Sequence, residues 1–273
     1  MKKALALVIS ALLLSGCAAM PVYKSKSVYT GGDNVTRKTA EEIIIRPASR
    51  KLPEHEELTY SVKWLGFPIG TVTARISGIK KIQGRDAYEL EIVARTNVFL
   101  SSIYPVNDRY VSYIDVESLY TLRHEVYRRE GRYKKDAVTD FDQVVHKAYF
   151  KNFLDKSEKT IDIPPEVQDP VSMAYFFRTI PLEIGQKKEF YVYNNESTYL
   201  LYGVADRKEF VRIPKRSPQE AFHIQPYAKL KGEEVKKGKA SGYFSCDEKR
   251  IPLLGIVKGP VFTEVVAYLE KTE

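Results

Sequence analysis

Cys17 ends the run Leu14-Ser15-Gly16-Cys17, a setting in which the chemistry open to a thiol is attachment of a lipid. Lys2 and Lys3 open the chain, and the stretch from Ala4 to Leu14 is apolar apart from Ser10. A basic start, a short apolar run and small residues before a cut describe a secretory signal peptide over residues 1–16. The run is too short to span a bilayer as a helix, which takes about 20 apolar residues. The L-S-G-C ending resembles the bacterial lipobox, whose cysteine receives a diacylglycerol and becomes residue one. Two or more acyl chains hold a protein stably on a membrane, at about 0.8 kcal/mol per buried CH₂. Ala18 and Ala19 follow the cysteine where an Asp would retain the protein at the inner membrane. The lipobox sorting rule therefore implies an outer-membrane anchor, with the chain facing the periplasm.

Other reactive side chains are scattered. Cys246 is the second of two cysteines, so with Cys17 committed to lipid no disulfide framework is possible. No His lies near it, and Asp247 and Glu248 would raise its pKa, which favours a small buried hydrophobe over a reactive thiol. His55, His124, His146 and His223 lack metal-ligand spacing, and no phosphate loop, HExxH, CxxC or G-x-S-x-G occurs. Asp140 and Asp142 share a strand face, where salt-bridged surface acids are the simpler reading than an acid/base pair. No catalytic residue, metal or cofactor is expected. Net charge is +8, falling to +6 when Lys2 and Lys3 leave with residues 1–16. The basic runs, such as Arg128, Arg129, Arg132, Lys134 and Lys135, also carry acids. They read as solvated hairpin faces or as attraction to anionic envelope lipids, and the envelope address excludes nucleic acid.

The elements that must position these groups are strands. Residues 17–52 have little to bury and read as a lipidated flexible tether with a reach of roughly 30 Å; Ile43-Ile44-Ile45 could add a short strand. From Glu57 the pattern alternates with period two: Leu58, Tyr60, Val62 and Trp64 against Thr59, Ser61 and Lys63. Some fifteen such segments, separated by turns such as Gln83-Gly84 and Glu130-Gly131, run to Glu270. One segment differs. Asp169 can cap a helix, Pro170 suits its first turn and Pro181 stops it. Met173, Phe176, Phe177 and Ile180 form one face, while Val171, Ala174 and Tyr175 cover much of the rest. A helix apolar nearly all round must be buried. The predicted fold is all-β, one domain over residues 53–273: an antiparallel sheet rolled or closed barrel-like around one short buried helix.

Several segments together resemble a family of Gram-negative envelope proteins known as domain of unknown function 3108. They are Glu57 to Gly66, Gly70 to Ala74, Tyr104-Pro105-Val106-Asn107-Asp108-Arg109, Asp169 to Tyr175, and Arg178 to Leu182 with Gly185. The resemblance covers roughly residues 54–270 and implies an envelope address, with no activity, catalytic residue or cofactor attached.

Two functions are compatible with this reading. A rolled sheet with an aromatic interior could hold an apolar or lipid-like ligand, with Trp64, Phe99, Tyr104, Phe176 and Phe177 around it and Asp108 and Arg109 at the mouth. Alternatively, these side chains fill the core, and the domain docks on an envelope protein partner without a small-molecule ligand.

Overall fold

The computed structural model describes residues 51–235, 240–258 and 263–273. Cys17, the expected signal peptide, Ile43-Ile44-Ile45 and all but the end of the expected tether lie outside the described residues. The elements follow in the order β1 (His55–Trp64), β2 (Phe67–Ile82), β3 (Arg85–Thr96), α1 (Val98–Ser101), β4 (Asn107–Asp115), β5 (Thr121–Glu130), β6 (Tyr133–Asp142), β7 (Lys147–Asn152), β8 (Glu158–Asp162) and α2 (Pro170–Thr179). Then come β9 (Lys187–Asn194), β10 (Ser197–Val211), β11 (Gln219–Leu230), β12 (Glu233–Glu234), β13 (Ala240–Ser245), β14 (Pro252–Lys258) and β15 (Glu264–Thr272).

The strands form one antiparallel sheet in the order β8-β7-β6-β5-β4-β3-β2-β1-β15-β14-β13-β11-β10-β9, with β12 paired to β11 alone. Sequence neighbours pair because tight turns join them. The chain closes on itself where β1, beside β2, also pairs with β15, Val62 opposite Ala267. The sheet is not closed by hydrogen bonds, since β8 and β9 are its two edges. Instead the segment before α2 straps β9: Gln168 donates its N–H to Tyr191 (2.9 Å) and accepts from that of Tyr193 (2.8 Å). Such a strap covers an edge whose unpaired backbone groups would otherwise invite another chain.

The helix sits within the curl. It touches β3 and β4 on one arm of the sheet and β9 on the other, and Val171, Tyr175, Phe176, Phe177 and Ile180 are all buried in the main core. Phe177 also lies against β10, where a side chain at Gly203 would bring its Cβ to 3.2 Å from the ring. Asp169 caps the helix as its sequence suggests, accepting from the N–H groups of Val171 (2.7 Å) and Ser172 (3.1 Å). Its second oxygen accepts from Ser112 on β4 and Thr121 on β5, so the cap also pins the helix to the sheet.

Candidate functional site

Between α2 and the sheet lies a cleft of about 150 Å³. It is lined by Leu58 and Tyr60 of β1, Val72 and Ala74 of β2 and Ile92 of β3, and by Phe244 of β13, Leu254 of β14 and Ala267 of β15. Met173, Ala174, Tyr175 and Arg178 of the helix form the roof. The space exists because the inner sheet face is shallow there. Gly242 pairs with Gly255, which pairs with Ala267, so three neighbouring strands present almost no side chain. Leu253 and Val257 flank Gly255 and are buried, so a side chain at 255 would point inward with them. Nothing comes within 4 Å of its missing Cβ.

One end of the cleft is polar. Arg178 grips both carboxylate oxygens of Glu56, at 2.6 and 2.8 Å, and donates through Nε to the Lys249 carbonyl (3.2 Å). Burial opposes the guanidinium charge, but the hydrogen bond and charge of Glu56 outweigh it and hold the Arg178 pKa above its ordinary value. The Tyr60 hydroxyl donates to the Pro252 carbonyl (2.9 Å). The Tyr175 ring lies under Arg178, 5.4 Å from the guanidinium carbon, and its buried hydroxyl has no partner among the described residues. Burial pushes both phenol pKa values far up, so each hydroxyl keeps its proton. The cleft can thus hold an apolar group.

The structure separates the residues expected to share a pocket, and none of them lines this cleft. Phe176 and Phe177 are buried, but on helix faces turned to Phe190 and Phe244. Trp64 ends β1 and packs partly buried on the core, its indole N–H unpartnered. Tyr104 covers Gly131 and donates to the Glu130 carbonyl (3.3 Å). Phe99 is 77% exposed in α1, a single short turn that buries none of its residues. Asp108 and Arg109 do not pair, since successive residues of β4 point to opposite faces. Asp108 is fully buried and accepts from the Arg129 N–H (2.7 Å) and the Tyr110 hydroxyl (3.3 Å). Arg109 points out and donates to Glu91 (2.5 Å). Asp140 accepts from Arg123 (2.7 Å), an ordinary surface pair. Cys246 is half-buried, its thiol pKa raised by burial and by Glu220. Among the described residues, no group of His, Cys, Asp and Glu is arranged to hold a metal.

Tyr175, Arg178, Gly242 and Gly255 were not singled out by sequence reasoning as a site. The usable signal was two glycines inside alternating strands, which mark a close approach or a missing side chain.

A curled antiparallel sheet around a buried helix defines a β-barrel-like protein. The same architecture appears in the β-barrel-like protein of domain of unknown function DUF1849 from Brucella abortus, at TM-score 0.55 and 9% identity, covering 82% of this chain and 99% of that one. A candidate lipoprotein from Parabacteroides distasonis aligns at TM-score 0.36 and 8% identity, covering 83% of this chain and 99% of that one. A candidate exported protein with YmcC-like fold from Bacteroides fragilis aligns at 0.29 and 10%, with the same coverage. No curated protein matches this sequence. The sequence profile of the DUF3108 family, proteins of unknown function, matches residues 59–258, and the chain belongs to that family.

Proposed function

We propose that this protein is a non-enzymatic lipoprotein, anchored through Cys17 to the periplasmic face of the outer membrane, that binds an apolar or lipid-like ligand in envelope maintenance. The observation that carries the reading is the apolar cleft under α2, kept open by Gly242, Gly255 and Ala267. Drug-sized ligands occupy roughly 300–1,000 Å³, and a dry cavity of about 150 Å³ takes a benzene-sized guest. The cleft therefore suits a short acyl segment, not a whole phospholipid. The test uses the chain from Ala18 to Glu273, free of the anchor, purified from its own host. Native mass spectrometry with lipid extraction should find an apolar species on it, lost in Gly255→Val, whose isopropyl group fills the space. An empty wild-type protein that also ignores added eight-carbon esters would end this reading.

A second reading, docking on an envelope partner, has its own observation. Leu65 and Phe67 at the β1–β2 turn are exposed, as are Val98, Phe99 and Ile103 in and after α1. Asn97 ties the two loops together by donating to the carbonyls of Ile69 (3.0 Å) and Pro68 (2.7 Å). Exposed apolar patches of this kind mark interaction sites.

A further inference from the structure

The exposed rim at the β1–β2 turn and α1 has a chemistry that selects its partner. The inference rests on the docking reading above and names what the rim docks on. Residues 65–69 and 97–107, which form the two loops, contain no charged side chain. Val98 is 92% exposed and Phe99 77%, so these side chains stand out from the surface and line no groove. The loops also satisfy their own polar groups. The Asn97 side chain donates to the Pro68 carbonyl (2.7 Å) and accepts from the Leu100 N–H (2.8 Å). Ser102 donates to the Phe99 carbonyl (2.7 Å), and Ser101 to that of Thr96 (3.2 Å). The Leu100 carbonyl accepts from the N–H groups of Ile103 (3.0 Å) and Tyr104 (2.8 Å). Polar groups bonded in this way lose little when water leaves, which is the condition for a loop to enter hydrocarbon.

Charge begins just outside the tips. Lys63 and Arg95 precede the two loops in sequence, and Arg132 lies on the β5–β6 turn, where the Gly131 N–H donates to the Pro105 carbonyl (2.8 Å). Among the described residues, Lys63 meets the Tyr268 ring and Arg95 donates to Asn107 (3.0 Å), so neither cation is spent on a carboxylate. Glu264 shares a hollow with Lys63 and leaves this collar net positive. We propose that the rim inserts into the surface of a bilayer that carries anionic lipid. Leu65, Phe67, Val98, Phe99 and Ile103 enter between the head groups, where apolar surface leaves water. Lys63, Arg95 and Arg132 rest on the lipid phosphates.

The experiment floats the chain from Ala18 to Glu273, which carries no acyl anchor, with vesicles of phosphatidylcholine alone or mixed with phosphatidylglycerol. Binding is expected to be at least about tenfold tighter to the mixed vesicles, and to weaken as salt rises. Trp64, the single tryptophan of the chain, directly precedes Leu65, so brominated acyl chains should quench its fluorescence in the bound state. Phe67→Glu together with Phe99→Glu should weaken binding at least about tenfold. Lys63→Gln, Arg95→Gln and Arg132→Gln combined should erase the preference for phosphatidylglycerol. If the double glutamate variant fails to fold, Val98→Glu takes its place. No binding to either vesicle, equal binding to both, or binding unchanged in the glutamate variant overturns the inference. Crosslinks in host cells that still depend on Phe67 and Phe99 would then keep the docking reading with a protein as partner. Crosslinks independent of them would remove that reading too.

Discussion

Arg178 on α2 and Glu56 on β1 lie 122 residues apart and form a buried two-point ion pair that fastens the helix to the sheet. Removing one partner of such a pair leaves a bare buried charge and costs about 3–5 kcal/mol, whereas replacing both by apolar groups can be nearly neutral. Arg178→Met alone and Glu56→Leu alone should therefore each destabilise strongly in urea unfolding. The double variant should regain most of the loss. Additive losses would mean that the two side chains do not act as a pair.

Phe176 tests the buried helix. It is 5% exposed, with its ring 6.0 Å from that of Phe190 across the curl. Phe176→Ala should leave a cavity and cost about 3–5 kcal/mol. Thermal unfolding unchanged from wild type would refute the helix as a plug.

Asp108 makes stability depend on pH. Burial, and then its hydrogen bond with Glu130, push its pKa from 3.8 up to about 7. The folded state holds this proton more tightly than the unfolded chain, so folding is favoured where Asp108 is protonated in both states. That contribution is complete below about pH 4 and fades as pH rises toward 7. Asp108→Asn cannot ionise, and relative to it wild type should lose about 1–3 kcal/mol between pH 4 and pH 8. Urea midpoints at four pH values would show this, and parallel curves for the two proteins would contradict it.

The exposed rim tests the docking reading. Val98 is 92% exposed and Phe99 77%, so charging Phe99 and Phe67 together should leave unfolding within about 0.5 kcal/mol of wild type. If the rim is a docking surface, crosslinking of the full chain in intact host cells should lose its partner in that variant. Unchanged crosslinks would place any partner elsewhere.

Cys17 tests the anchor. Cys17→Ala should give an unprocessed precursor, or a form that no longer partitions with membranes. Normal processing with full membrane retention would sink the lipobox reading.

Much of the fold was legible in the sequence because its causes are local. The alternation Leu58, Tyr60, Val62 marks β1 by itself, and those three, together with Glu56 on the same face, are the buried residues of that strand. Asp169, Pro170 and Pro181 bound α2 at the residues where it begins and ends. The site was not legible in this way. Asp108 and Arg109 are neighbours in sequence yet lie on opposite faces of β4, while Glu56 and Arg178 are distant in sequence yet bonded. Gly242 meets Gly255 only because a bulge after Tyr243 sets the β13–β14 register, and both face Ala174 only because the sheet curls over the helix. Periodicity records which side of a strand is buried. Only register, curl and close packing decide which buried residues meet, and where a missing side chain leaves room.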